Sequence, residues 1–286
     1  MQTLINKELN SVDKILKPDF NSKTGRELLA FYLQSKFKQI IAYDKKYQKP
    51  IFKNINPNFI SRFTKRLINS PNKRMLIGIT GESASGKSTI CREIKKTIEQ
   101  LTMPVSVLST DNYFNDISDL IKKYGSFDNL TDNGYDIDAP ESFQLDLLKK
   151  DLISLSYGHD IMAPRYIPNG TGVSIPYSLE VKSDKVIVVE GIATMYEDVR
   201  ELFDVRIYIE TENSIRRNRF IKRAVSERNQ TIENAEKQWE YLLSAGQKYV
   251  VPSKNNADFV LDGNSDLNYF DQILEYINTI TNNFQS

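Results

Sequence analysis

Short apolar runs recur along most of this chain, and stretches with apolar residues every third or fourth position separate them. The runs Arg74–Thr80, Val105–Ser109, Lys185–Val189, Val205–Ile209 and Asp258–Leu261 have the length and continuous hydrophobicity of strands buried on both faces. Helical spacing is expected near 87–101, 141–156, 212–228, 231–245 and 266–281, as with Ile90, Ile94 and Ile98. Strands alternating with helices predict an α/β fold: a mainly parallel sheet with helices on both sides, in three layers.

Before residue 73 the pattern differs. Residues 1–72 read as an Asn- and Lys-rich helical extension, and 73–286 as the α/β domain. Thr24 is placed to cap a helix over 25–47, whose stripe includes Leu28, Leu29, Tyr32, Leu33, Phe37 and Ile40. Pro50 ends that segment, a second amphipathic piece covers 58–68, and Asn69–Asn72 reads as a connector. Docking of the extension on the α/β body as a structural cap is favoured over oligomerisation or covering a substrate site.

Composition narrows the classes. A 40% hydrophobic and 26% charged chain is globular, and a net charge of +1 gives no global attraction to nucleic acid or acidic membranes. No run approaches the ~20 apolar residues of a membrane span, and Met1–Asn10 lacks a signal-peptide core. One cysteine, Cys91, excludes an internal disulfide and fits the cytoplasm. It reads as a packed residue. One histidine, His159, excludes a multi-histidine metal site and reads as a surface turn residue.

The chemistry centres on Gly81-Glu82-Ser83-Ala84-Ser85-Gly86-Lys87-Ser88-Thr89. It fits G-x-x-x-x-G-K-[ST], the phosphate-binding loop (P-loop), and it stands between an apolar run and a helical stretch as that motif requires. Gly81 and Gly86 let the backbone wind close to a polyphosphate, and the amides of Ser83, Ala84, Ser85 and Thr89 can face it. Lys87 supplies positive charge, and the Ser88 hydroxyl can reach Mg2+. Two carboxylates follow strand ends. Asp111 can orient and deprotonate an acceptor hydroxyl, or cap a turn; Glu190 ends Val186–Val189 where it can complete a magnesium shell with Ser88. A basic helix carries Arg216, Arg217, Arg219, Lys222, Arg223 and Arg228. It is either a solvated face or a lid bringing Arg219 and Arg223 to the transferring phosphoryl group and Arg228 to the nucleotide. The sequence has no Asn-Lys-x-Asp guanine reader and no Leu-Ser-Gly-Gly-Gln signature.

Taken in order, these segments resemble the uridine kinase and phosphoribulokinase group of P-loop kinases. Thr110-Asp111-Asn112-Tyr113-Phe114 is similar to the family's Asp-Ser-Phe-Tyr segment, which implies that Asp111 is the general base. Tyr135-Asp136-Ile137-Asp138-Ala139-Pro140 resembles Asn-Phe-Asp-His-Pro, placing Asp138 at the family's ribose-binding aspartate. Ala163-Pro164-Arg165-Tyr166 resembles Pro-Val-Tyr, whose tyrosine lies by the acceptor, and Gln238 falls on a family glutamine near it. Ile221–Arg228 is similar to the lid stretch, and Pro252–Asp258 to the segment before the last strand.

The resemblance implies an ATP- and Mg2+-dependent kinase of a small-molecule alcohol, with the 5′-hydroxyl of uridine or cytidine as acceptor. It implies neither a nucleic-acid nor a membrane partner and leaves homo-oligomerisation open. Five positions depart from the family: Ile137 for an aromatic residue, Phe114 for a tyrosine, Thr171 where a histidine reads the pyrimidine, and Phe220 and Gln230 for lid arginines. These departures keep open a non-nucleoside acceptor, a sugar phosphate or a pantothenate-like molecule. A regulatory NTP-binding module without acceptor chemistry is the reading from another class.

Overall fold

The computed structural model describes residues 52–264, apart from 71, 101–103 and 229, together with Ser22, Thr24, Glu27 and Ser35. Of the expected helices, 266–281 lies outside the described residues, and so does 25–47 apart from Glu27 and Ser35, which are helical.

Six strands form the central sheet in the order β1-β8-β7-β2-β6-β3. These are β1 (Phe52–Ile55), β2 (Met75–Thr80), β3 (Val105–Ser109), β6 (Val186–Glu190), β7 (Val205–Glu210) and β8 (Phe259–Asp262). Five run parallel; β1 alone pairs antiparallel, along the edge of β8. Every residue of β2 is buried, as are the first four of β6, which is why these strands read as continuous apolar runs. The three-layer α/β fold with a mainly parallel sheet is therefore as expected.

Helix α2 (Lys87–Gln100) packs on β2, β6 and β3, burying Ile90, Ile94 and Ile98. The opposite face receives α5 (Leu145–Ser156) through Leu148, Leu152 and Leu155, which meet Leu76, Leu108, Ile187 and Val189. Gly78 lets β2 pass close to Phe203: an added Cβ would lie 2.9 Å from its ring.

The stretch preceding residue 73 is not wholly helical. β1 is a strand there, and α1 (Phe59–Asn69) is helical as its stripe predicts. Both dock on the body. Phe59 is fully buried with its ring 4.7 Å from that of Phe259. Arg62 pairs with the buried carboxylate of Asp258, and Arg66 with Asp204 at 2.6 Å.

Three further differences have physical reasons. The helix expected over 141–156 begins at Leu145 because Phe143 is extended: it forms an isolated bridge with Phe114, and Gln144 N donates to Tyr113 O. β4 (Ile161–Tyr166) and β5 (Ser174–Val181) make a separate antiparallel hairpin. Its prolines and largely exposed β5 erase the alternation that marks a strand. The short helices α3 (Ser118–Tyr124) and α4 (Phe127–Asp132) meet at Gly125, whose φ of +84° suits a glycine helix end. α3 buries no residue, so no periodicity could announce it.

Candidate active site

β2, β3 and β6 all end at one edge of the sheet, and that edge carries the site. Register fixes it: Ile79 of β2 and Ser109 of β3 both lie opposite Glu190 of β6. The P-loop leaves β2, Asp111 follows β3 in a turn of 3-10 helix, and Glu190 ends β6. These three segments line one cleft of about 510 Å³, with Lys87, Ser88, Thr89, Arg219, Lys222 and Arg223 also in its wall.

The loop is built from close backbone approaches. Gly81 has φ +148°, and a Cβ there would fall 2.5 Å from Ile209 O. Gly86 has φ +103°, and Ala84 takes a left-handed φ of +59°. The backbone of Gly263, after β8, leaves room only for hydrogen: its Cβ would lie 2.3 Å from Ser85 O. Thr211 Oγ1 donates to Ser85 O at 2.8 Å.

Lys87 Nζ donates to the carbonyls of Gly81 (2.7 Å) and Glu82 (3.1 Å). Burial lowers its pKa, opposed by the charges of Glu190, Asp111 and Asp138. Asp111 is reached by solvent through the cleft, but the protein around it and the Glu190 charge push its pKa up to about 6, against the pull of Lys87. Gly191 keeps the two carboxylates close: a Cβ there would lie 1.9 Å from Thr110 Oγ1 and 3.4 Å from Asp111 Oδ1.

Asp138 lies within reach of the charges of Lys87 and Asp111. Burial, then the neighbouring Asp136, push its pKa up to about 7, with Lys87 opposing. Its backbone carbonyl accepts from Tyr196 Oη. Tyr166 packs its ring 5.2 Å from Phe114, which contacts Phe143 at 4.3 Å. Burial and the nearby Tyr135 and Asp116 raise the Tyr166 pKa.

The basic stretch forms α6 (Asn213–Arg228), followed by α7 (Ile232–Ala245). Arg219 donates to Asn264 Oδ1 at 2.7 Å and reaches Ser85 O and Gly263 O at 3.4 Å. Arg223 is exposed and lies 3.6 Å from Glu227. Arg228 ends α6, and its side chain lies outside the described residues. Gln238 accepts from Gln230 Nε2 at 3.2 Å and does not line the cleft. Thr171 is exposed in the hairpin loop and bonds Asn169 Oδ1 at 2.5 Å.

In the sequence Arg216 is only one member of the basic run, with no role of its own. This arginine is fully buried, donates from Nε to Ser83 O at 3.0 Å, and pairs with Glu82 at 2.7 Å. Its guanidinium lies 5.2 Å from the centre of the Trp239 ring. Phe220, a departure from the family pattern, packs with Trp239, Ala224 and Ala235 in a small core touching Ala84. The signal was present as an arginine on the loop-facing side of a basic helix, but a charge run gives no hint which member is buried.

The donor set also suits a magnesium-bound polyphosphate. Glu190, Asp111 and the exposed hydroxyl of Ser88 offer hard oxygens at one wall, and Mg2+ takes its remaining ligands from water and phosphate. Ser85 Oγ, buried at the cleft, has no hydrogen-bond partner in the protein.

Residues 76–268 match the model of the phosphoribulokinase / uridine kinase family. The chain belongs to this family. Membership makes it a phosphotransferase with an alcohol group as acceptor. It is 32% identical over 195 residues to uridine-cytidine kinase A of Dictyostelium discoideum, which covers 67% of this chain but only 36% of that longer protein. It is 31% identical over 189 residues to the uridine kinase of Clostridium novyi (strain NT), covering 65% of this chain and 86% of the relative. Among solved structures, one from Silicibacter sp. TM1040 assigned as a fructose transport system kinase superposes with a TM-score of 0.50 at 18% identity. That superposition covers 68% of this chain and 89% of the other, and speaks to fold.

Proposed function

We propose that this chain transfers the γ-phosphoryl group of ATP to the 5′-hydroxyl of uridine or cytidine, with Mg2+, in the cytoplasm. The observation that carries this reading is the cleft in which Asp111 and Glu190 face the P-loop with Lys87 and Ser88, with Asp138 near enough for its charge to act on Lys87. The names of the relatives set the acceptor class.

Ser88 and Glu190 would hold Mg2+, which would supply charge neutralisation to the donor phosphates. The amides of Ser83–Thr89 cradle those phosphates, and Gly81 and Gly86 give them room. Lys87 swings from the loop carbonyls to the phosphate charge. Arg219 and Arg223 project from α6 to the same space, with Arg228 on the nucleotide side. Because phosphoryl transfer passes through a loose transition state, positioning and charge complementarity supply most of the acceleration. Asp138 accepts hydrogen bonds from the acceptor's hydroxyls. Asp111 aligns the attacking hydroxyl and takes its proton onto a carboxylate oxygen. A base with a pKa of about 6 is well matched to neutral pH. Tyr166 and Gln238 belong to the acceptor side.

Acceptor-dependent ADP release from ATP tests the reading. Uridine and cytidine are expected to stimulate release, and Asp111→Asn to lower it by about 10²–10⁴-fold. Release without any acceptor dependence would favour the regulatory module instead. One observation favours a second acceptor class. Thr171 is exposed and tied to Asn169, so it offers the base no direct reader. Phosphorylation of a sugar phosphate or a pantothenate-like alcohol in preference to uridine would select that class.

A further inference from the structure

α7 touches both halves of the site. On its P-loop side, Trp239 joins Phe220 and Ala84. Two residues on, Tyr241 reaches the segment that carries Asp138. Its hydroxyl accepts from Ile137 N at 3.3 Å, and its one proton is shared between Tyr135 O (3.3 Å) and Asp136 Oδ1 (3.2 Å). Ile137 is the residue immediately before Asp138. The nearby ion pairs are weaker: Lys237 of α7 with Asp132 at the end of α4 (3.3 Å), and Lys248, just after α7, with Asp136 (3.7 Å), both lysines being exposed. The second fixed point of Asp138 is its own carbonyl, held by Tyr196.

We infer that Tyr241 is a positioning residue for the acceptor: its hydroxyl hangs the Tyr135–Asp138 segment from α7 and sets where the Asp138 carboxylate meets the acceptor's hydroxyls. This rests on the reading of Asp138 as the acceptor's partner. The physical basis is that the segment has no strand or helix of its own around Ile137, so its backbone depends on side-chain partners. One hydroxyl serving an amide, a carbonyl and a carboxylate fixes three consecutive residues. The same helix packs on the P-loop, so the acceptor aspartate is referenced to the donor site rather than to solvent.

Tyr241→Phe keeps the ring and removes the hydroxyl. With ATP and uridine as substrates, it is expected to raise the KM for uridine about tenfold while leaving the KM for ATP within about twofold. Lys237→Ala, on the same helix face, is expected to shift neither. Calorimetric uridine binding without ATP, on the same proteins, supplies an equilibrium reading that turnover does not enter. A purely structural tyrosine would lower the melting temperature and leave both KM values parental, or move both together. Either result overturns the inference. Asp138→Asn separates the two levels. If it abolishes uridine binding while Tyr241→Phe changes nothing, the positioning role fails and the acceptor reading stands. If Asp138→Asn itself binds uridine normally, the acceptor reading fails and the role of Tyr241 falls with it.

Discussion

Asp111 and Asp138 carry raised pKa values of about 6 and about 7, and both consequences of that have a sign. Base function needs the Asp111 carboxylate, so kcat/KM is expected to climb as pH rises through about 6 and to flatten above 7. A pH–rate profile that is flat between pH 5 and 8 would contradict this. Stability runs the other way. A carboxyl whose folded pKa lies above its unfolded value adds stability that is complete below about pH 4 and is lost as pH rises through the folded pKa. The ligand-free protein should therefore melt lower at pH 8 than at pH 5 on account of these two groups. Asp138→Asn should narrow that difference, read by thermal melts at the two pH values.

Arg216 is the residue whose loss should be felt most in the fold of the loop. Arg216→Met would leave Glu82, 12% exposed, without its partner. Breaking one side of such a pair costs about 3–5 kcal/mol. Glu82→Gln in the same chain should recover part of it, since the stranded charge is then gone. Denaturant melts of the single and double variants measure both numbers, and a parental midpoint for Arg216→Met would show that the pair carries no stability.

At the scale of elements, the cleft depends on backbones that approach where no side chain fits. Gly263→Ala would bring a Cβ to 2.1 Å from Thr211 Oγ1 and 2.3 Å from Ser85 O, so the P-loop or the end of β8 must move. The KM for ATP is expected to rise about tenfold or more while the KM for uridine changes little. Equal shifts in both would mean that the strain spreads through the domain.

The central strands β2 and β6 were legible because burial on both faces makes them apolar almost throughout, and the P-loop because its spacing is a geometric requirement. The β4–β5 hairpin and α3 were not, since both lie mostly in solvent and carry no period. The roles of Arg219 and Arg223 could be grouped by spacing, yet only the fold shows Arg219 tied to Asn264 while Arg223 stays exposed. Tyr241 was invisible for a simpler reason: its partners lie more than a hundred positions away in sequence.

On the scale of the whole molecule, residues 52–69 close one edge of the sheet. β1 covers β8, which would otherwise be an unpaired edge strand open to aggregation. α1 adds Phe59 and the pairs of Arg62 and Arg66 with Asp258 and Asp204. Phe59→Ala is expected to cost about 3–5 kcal/mol by leaving a cavity against Phe259. Deleting residues 1–72 should give a protein that aggregates rather than a smaller active kinase; a soluble, fully active 73–286 fragment would show that the cap is dispensable.

Donor and acceptor halves meet at Asp111, and an acceptor panel reads that junction most directly. With ATP and Mg2+, ADP release should be stimulated strongly by uridine and cytidine, weakly by sugar phosphates and pantothenate-like alcohols, and by none of them in Asp111→Asn. Uridine and cytidine leaving ADP release at its background rate, while another alcohol drives it, would contradict the assignment of the acceptor.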